Sequence, residues 1–172
     1  FIIAVPTPFK NESGDYPIPD LSYIEAATYQ IATVLKKGDL IVLESTSPVG
    51  TLEKVAKWLA NIRQDLSFPQ SNKQDADVNI AYCPERVLPG QVMRELIEND
   101  RIIGGMSSIC SQRAVELYKI FVKGDCHLTN ARTAEMTKLT ENSYRDVQIA
   151  FANELSVICD KINIDVGELI SL

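Results

Sequence analysis

Residues 40–44, LIVLE, constrain the fold of this chain more than any other segment. Four apolar side chains in succession leave neither face of a strand for water. Such a strand must be covered on both sides, which is the pattern of a parallel sheet sandwiched between helices. FIIAVP at the start of the chain, NIAYC at 79–83 and RIIGG at 101–105 also read as strands, and Cys126-His127-Leu128 as a final short edge strand. Helical signals alternate with them. Pro19 and Asp20 announce a helix in which Ser22 and Glu25 have the spacing of a capping box, with Ala27, Ile31, Val34 and Leu35 at helical period and an end near 36–39. Thr46-Ser47-Pro48 introduces a second helix through Val55, Trp58 and Leu59, and SQRAVELYKIF a third. This order predicts an α/β fold, part of a Rossmann-like doubly wound sheet. In such sheets ligands bind beyond the carboxyl ends of the strands. The loops after Val5, Glu44 and Cys83, which carry Thr7, Thr46 and Glu85, are expected along that rim.

A long helix is predicted from about Ala131 to Ile162, capped by Thr129 or Asn130 and roughly 45 Å long at 1.5 Å per residue. It exceeds what a single layer uses, so it is expected to bridge domains or form an oligomer interface. Its sequence sets Lys138, Asn142 and Arg145 at spacings of four and three, on one side of the helix. Leu139, Val147, Ala150, Phe151 and Leu155 are expected to pack on the other. An ammonium beside an amide donates hydrogen bonds to oxygens that gain charge in a reaction. The same spacing also fits a solvated face whose Lys138 and Arg145 pair with Glu141 or Asp146, and spacing alone leaves both open. The chain is expected to divide into residues 1–129, half of a dinucleotide-binding domain, and 130–172, a long interdomain helix opening an all-helical region. A strand at the first residue and a helix starting at GELISL suggest an internal stretch of a longer protein.

A net charge of −6 argues against a nucleic-acid partner, which a basic surface would attract. Cys83, Cys110, Cys126 and Cys159 lack metal-ligand spacing, and His127 is the sole histidine, so no metal site is expected. Isolated cysteines suit reduced thiols in a cytoplasmic protein. No apolar run reaches membrane-spanning length.

Taken together, VPTP at 5–8, ESTSPVG at 44–50, CPERVLPG at 83–90, RIIGG at 101–105 and Lys138-x3-Asn142 resemble the nucleotide-sugar 6-dehydrogenases of the UDP-glucose/GDP-mannose family. PERVLPG and Tyr144-Arg145-Asp146 look most like the UDP-N-acetyl-D-mannosamine branch. The UDP-glucose branch has an aromatic where this chain has Arg86, and a second carboxylate where it has Pro89. The resemblance implies a four-electron oxidation of a UDP-sugar at C6, consuming two NAD and one water and serving bacterial surface polysaccharide synthesis. It implies that Lys138 stabilises oxyanions, Asn142 positions the same oxygen or a water, Glu85 handles the hydrolytic water and Thr46 binds that water or the reacting hydroxyl. Val5, Pro6, Thr7 and Thr46 are expected beside NAD, and Glu85, Arg86, Val87, Lys138, Asn142 and Arg145 around the sugar nucleotide. The family's nucleophilic cysteine lies in a GHC segment further along, so residues 1–172 alone are expected to be inactive and Cys83 to be a buried small side chain. A homodimer or higher homo-oligomer is implied.

Three other readings use the same residues. A 6-dehydrogenase acting on UDP-glucose or UDP-N-acetylglucosamine has the same chemistry with a different sugar pocket. A single-hydride dehydrogenase of the 6-phosphogluconate or hydroxyacid type shares the fold and a Lys–Asn pair on a long helix. A non-catalytic dimerisation or binding module would keep the sheet and the helix without a common cavity.

Overall fold

The computed structural model describes residues 1–10, 16–71, 75–87 and 90–172. Pro89, where the UDP-glucose branch has an acid, lies outside the described residues. Two compact units are present, Phe1–Lys138 and Leu139–Leu172.

In the first unit the elements run β1 (Ile2–Ile3), β2 (Phe9–Lys10), β3 (Ile18–Pro19), α1 (Ser22–Ala32), β4 (Leu40–Leu43), α2 (Thr51–Ile62), β5 (Asn79–Tyr82), α3 (Val92–Glu98), β6 (Arg101–Gly105), α4 (Ser108–Tyr118) and β7 (Cys126–Asn130). The main sheet has the order β1-β4-β5-β6-β7. Strands β1, β4 and β5 are parallel, and β6 turns antiparallel to β5 with Ala81 opposite Gly105. β7 then runs parallel to β6 along the edge. The LIVL pattern is explained by the two cores. Ile41 and Leu43 join Ile3, Ile24, Leu52, Val55, Leu59 and Ile80 on one face, whereas Val42 joins Ala81, Ile103, Ala114 and Tyr118 on the other.

Several boundaries differ from expectation. The Ser22–Glu25 capping box does not form, because Ser22 is already helical and its N–H donates to Asp20 Oδ1 at 2.9 Å. Helix α1 stops at Ala32, earlier than the periodicity suggests. Arg63 Nη1 reaches across to the carbonyls of Ala32 and Leu35, at 2.9 and 2.6 Å, and satisfies acceptors that another helical turn would otherwise take. Helix α2 begins at Thr51 and not at the Thr46-Ser47-Pro48 segment, with Gly50 in the left-handed region at φ 92°. The short β2–β3 pair and α3 have no counterpart among the elements expected from sequence. Pro8 and Asp20 are joined across the β2–β3 pair by a 2.7 Å backbone bond.

Helix α5 (Ala131–Lys161) starts at the expected residue, and Asn130 Oδ1 caps it by accepting from Thr133 N at 2.9 Å. Its first turns lie in the first unit. Glycines let it approach β6: a Cβ on Gly104 would stand 2.5 Å from the Asn130 carbonyl oxygen and 2.6 Å from Ala134 Cβ.

In the second unit, α5 ends in a turn with Asn163 at φ 55°, where Ile164 N donates to the Cys159 carbonyl at 2.9 Å. Asp165 caps α6 (Val166–Ser171) through Gly167 N and Glu168 N. The apolar side expected to be packed is only partly covered. Leu155 is half-buried, but Val147 and Phe151 are 65% and 69% exposed, and Ala150 is exposed too. Periodicity identifies an apolar face without identifying what covers it. Among the described residues no helix is long and apolar enough to cross a membrane.

Candidate active site

Three loops follow the carboxyl ends of β1, β4 and β5, and two of them are stitched together. Val5 N donates to Ser45 Oγ at 2.8 Å, and the Ser45 hydroxyl donates to the Val5 carbonyl at 2.7 Å. One step further out, Thr7 Oγ1 donates to the Thr46 carbonyl. The backbones of the two loops are thereby tied together, with Val5, Thr7 and Thr46 half-buried and Pro6 exposed. Glu85 lies two residues beyond Cys83 on the neighbouring loop and is half-buried, and its Oε1 accepts from Val87 N. That bond leaves a carboxylate oxygen with lone pairs to spare. Arg86 is anchored by a 3.3 Å contact from Nη1 to the Asp100 carbonyl.

The rim behind these loops is polar and buried. Tyr118 OH donates to Glu44 Oε1, and the Arg101 guanidinium stacks over the Tyr118 ring at 5.7 Å while Nη2 reaches the Leu96 carbonyl at 2.8 Å. Burial pushes the Cys83 thiol up to about 12. At neutral pH it stays protonated, which suits a structural cysteine and not a nucleophile. Burial also pushes the Tyr82 and Tyr118 phenols well above their ordinary value.

Lys138 lies on α5. The Gly104 contact seats the first turn, and one turn later Glu135, fully buried, accepts from Gly50 N at 2.6 Å and Leu52 N at 2.8 Å. Lys138 follows by three residues and is half-buried. By sequence Thr46 suits either a reacting residue or the cap of α2, and the cap proves to be Glu135. Sequence reasoning missed this residue. The available signal was a carboxylate one helical turn from Ala131 and from Lys138, which marks a side of α5 but not the groups it bonds. Asn142 and Arg145 belong to the second unit, where both side chains are exposed on α5. Among the described residues no group of His, Cys, Asp and Glu is arranged to hold a metal.

Comparison with known proteins adds what geometry cannot. Residues 1–122 match the NAD-binding domain model of the UDP-glucose/GDP-mannose dehydrogenase family, and residues 132–172 match its central domain. The chain belongs to that family. It is 67% identical over all 172 residues to UDP-N-acetyl-D-mannosamine dehydrogenases of Campylobacter jejuni and Escherichia coli K12, covering 42% and 40% of their lengths. The structure of a UDP-D-ManNAc dehydrogenase from Pyrococcus horikoshii superposes with a TM-score of 0.87 at 44% identity, over 99% of this chain and 38% of that one. The chain thus spans about two fifths of the length of the curated relatives it matches.

The NAD-binding domain match sets a chemical requirement that the residues present meet in part. A dinucleotide's pyrophosphate seeks a helix N-terminus, but the first turn of α2 is already occupied by the Glu135 carboxylate. The set of Val5, Pro6, Thr7 and Thr46 is uncharged, apolar and hydroxyl-bearing. It fits the nicotinamide end of the cofactor and not its phosphates.

Proposed function

We propose that the full-length protein oxidises UDP-N-acetyl-D-mannosamine at C6 to UDP-N-acetyl-D-mannosaminuronic acid, with Thr46, Glu85 and Lys138 of the first unit and Asn142 of the second as its catalytic residues. The observation that carries this reading is the anchoring of the Lys138 turn to the loop that follows Thr46. It is supported by identity to proteins named for that activity. NAD, when bound, supplies the hydride acceptor for the oxidation. The chain's own residues do the rest. Lys138 donates to the C6 oxygen as negative charge develops there, where a fixed cation in a dry site is worth most. Asn142, one turn along the helix, holds the same oxygen or the hydrolytic water. Thr46 orients the reacting hydroxyl. Glu85 holds that water, and its loop and Arg86 and Val87 form the wall against the sugar, with Arg145 contacting the sugar nucleotide. Residues 1–129 act in this reading as the second half of the NAD-binding domain and 130–172 as the link into the central domain. The protein acts in the cytoplasm, in the synthesis of surface polysaccharide, and as a homodimer or larger homo-oligomer assembled through the exposed apolar side of α5.

The test is turnover of the full-length protein with NAD and a panel of UDP-N-acetyl-D-mannosamine, UDP-glucose and UDP-N-acetylglucosamine. The first should be used at least tenfold more efficiently than the others, and Lys138→Ala should depress kcat far more than it raises KM. Preference for UDP-glucose, or a Lys138→Ala variant with normal kcat and raised KM, would refute the assignment. Light scattering of the same sample showing a monomer would remove the oligomer from the reading.

A further inference from the structure

Glu135 is a completely buried carboxylate to which the reaction outlined above gives no task. It sits on α5, and its two oxygens take the N–H groups of Gly50 and Leu52 at the start of α2. An ordinary helix would be capped by its own neighbouring hydroxyl, and Ser47 and Thr51 are both close in sequence. Neither serves. Thr51 Oγ1 donates instead to the Pro48 carbonyl at 2.6 Å, and Ser47 Oγ is buried and makes no bond to the start of the helix. The cap comes from 83–85 residues away and brings an ionisable group into the interior. Burial pushes its carboxyl above the ordinary value, and the two N–H donors work against that. Nothing about capping α2 requires so distant and costly a group, whereas joining α2 to α5 does.

Both ends of the connection are short and stiff. Thr46 lies four residues before Gly50, across Pro48, whose φ is locked by its ring. Lys138 lies three residues beyond Glu135, within the same continuous helix. We propose that Glu135 is a positioning residue, which sets the separation of Thr46 and Lys138 by bracing the first turn of α2 against α5. The proposal rests on the catalytic reading of Lys138 given above. It adds that the lysine's placement is held by a carboxylate that itself never touches substrate.

The experiment uses full-length protein with UDP-N-acetyl-D-mannosamine and NAD. Glu135→Gln keeps the shape but turns an amide donor toward one of the two N–H groups. Glu135→Asp keeps the charge and shortens the reach by one methylene. A misplacement of about 1 Å costs on the order of a hundredfold in rate. Folded variants should therefore lose about tenfold or more in kcat, with both KM values within about threefold of the parent. In a Lys138→Ala background the same substitutions should change the residual kcat by less than about twofold, since the group being positioned is gone. If Glu135→Gln does not fold, Glu135→Asp decides. A folded variant of either kind with parental kcat overturns the proposal, and so does a double variant whose loss equals the product of the single losses. Parental kcat in Lys138→Ala would instead sink the catalytic reading, and the proposal with it.

Discussion

Replacing Gly104 by alanine adds one methyl group where α5 meets the sheet. The new Cβ would stand 2.5 Å from the Asn130 carbonyl oxygen, 2.6 Å from Ala134 Cβ and 2.9 Å from Ala131 Cα. Non-bonded carbons settle at about 3.5–4.0 Å, so the first turn of α5 must retreat by roughly 1 Å. All three obstacles are backbone atoms or a side chain with no freedom to swing aside. Overpacking of this kind costs about 1–3 kcal/mol. Alanine recovers about 0.4–1 kcal/mol by restricting the unfolded chain. The net loss of roughly 1–2 kcal/mol corresponds to a fall of about 2–8 °C in Tm for a domain of this size. Ala134 lies four residues before Lys138, so the displacement carries the lysine with it, and turnover should fall by about tenfold or more. Thermal melting and steady-state kinetics of the full-length variant measure the two effects together. A Gly104→Ala protein with parental Tm and kcat would refute the claim that close approach of α5 to β6 seats the lysine.

Gly38 offers the contrast: its φ is +90° and no described atom lies within 4 Å of where a Cβ would stand, so Gly38→Ala should cost about 1–2 kcal/mol in backbone strain alone and leave kcat unchanged. Leu59→Ala empties a fully buried position in the core beneath α2 and should lower unfolding free energy by about 2–5 kcal/mol in denaturant titrations. The Asp77 carboxyl is held down to about 2 by the Lys37 ammonium 2.7 Å away and by hydrogen bonds from Ser67. Its folded value lies below the ordinary 3.8, so its stabilisation is complete above that value and is lost as pH falls toward about 2. The acid limb of the stability curve should accordingly flatten over that window in Asp77→Asn, and an unchanged limb would refute the pairing. Tyr118→Phe removes the donor to Glu44 in a buried rim, and calorimetry should show a loss of about 1–3 kcal/mol.

The sheet was legible because its strands announce themselves twice, once by continuous apolar runs and again by the loops and helices between them. Ile41 and Leu43 feed one core and Val42 the other, which is what LIVL demands. The start of α5 was legible for a similar reason: Asn130 has the chemistry of a cap and uses it. The start of α2 was misplaced because its cap is Glu135, a residue 85 positions from Gly50, and local spacing carries no trace of such a partner. The early end of α1 has the same origin in Arg63. Of the site, the loop residues Thr7, Thr46 and Glu85 could be assigned to strand ends from pattern alone. The tie between Val5 and Ser45, and the role of Gly104 as a seat for the helix, required the tertiary structure.

The proposed function makes this chain part of a 6-dehydrogenase that carries one sugar carbon through two successive oxidations. Counting NADH formed against UDP-N-acetyl-D-mannosamine consumed, with the full-length protein and limiting sugar nucleotide, distinguishes that chemistry from a single hydride transfer. The expected result is about two NADH per sugar, the stoichiometry of a double oxidation by hydride transfer, with a uronic acid as the product. A single NADH per sugar, with an aldehyde or ketone accumulating, would contradict it.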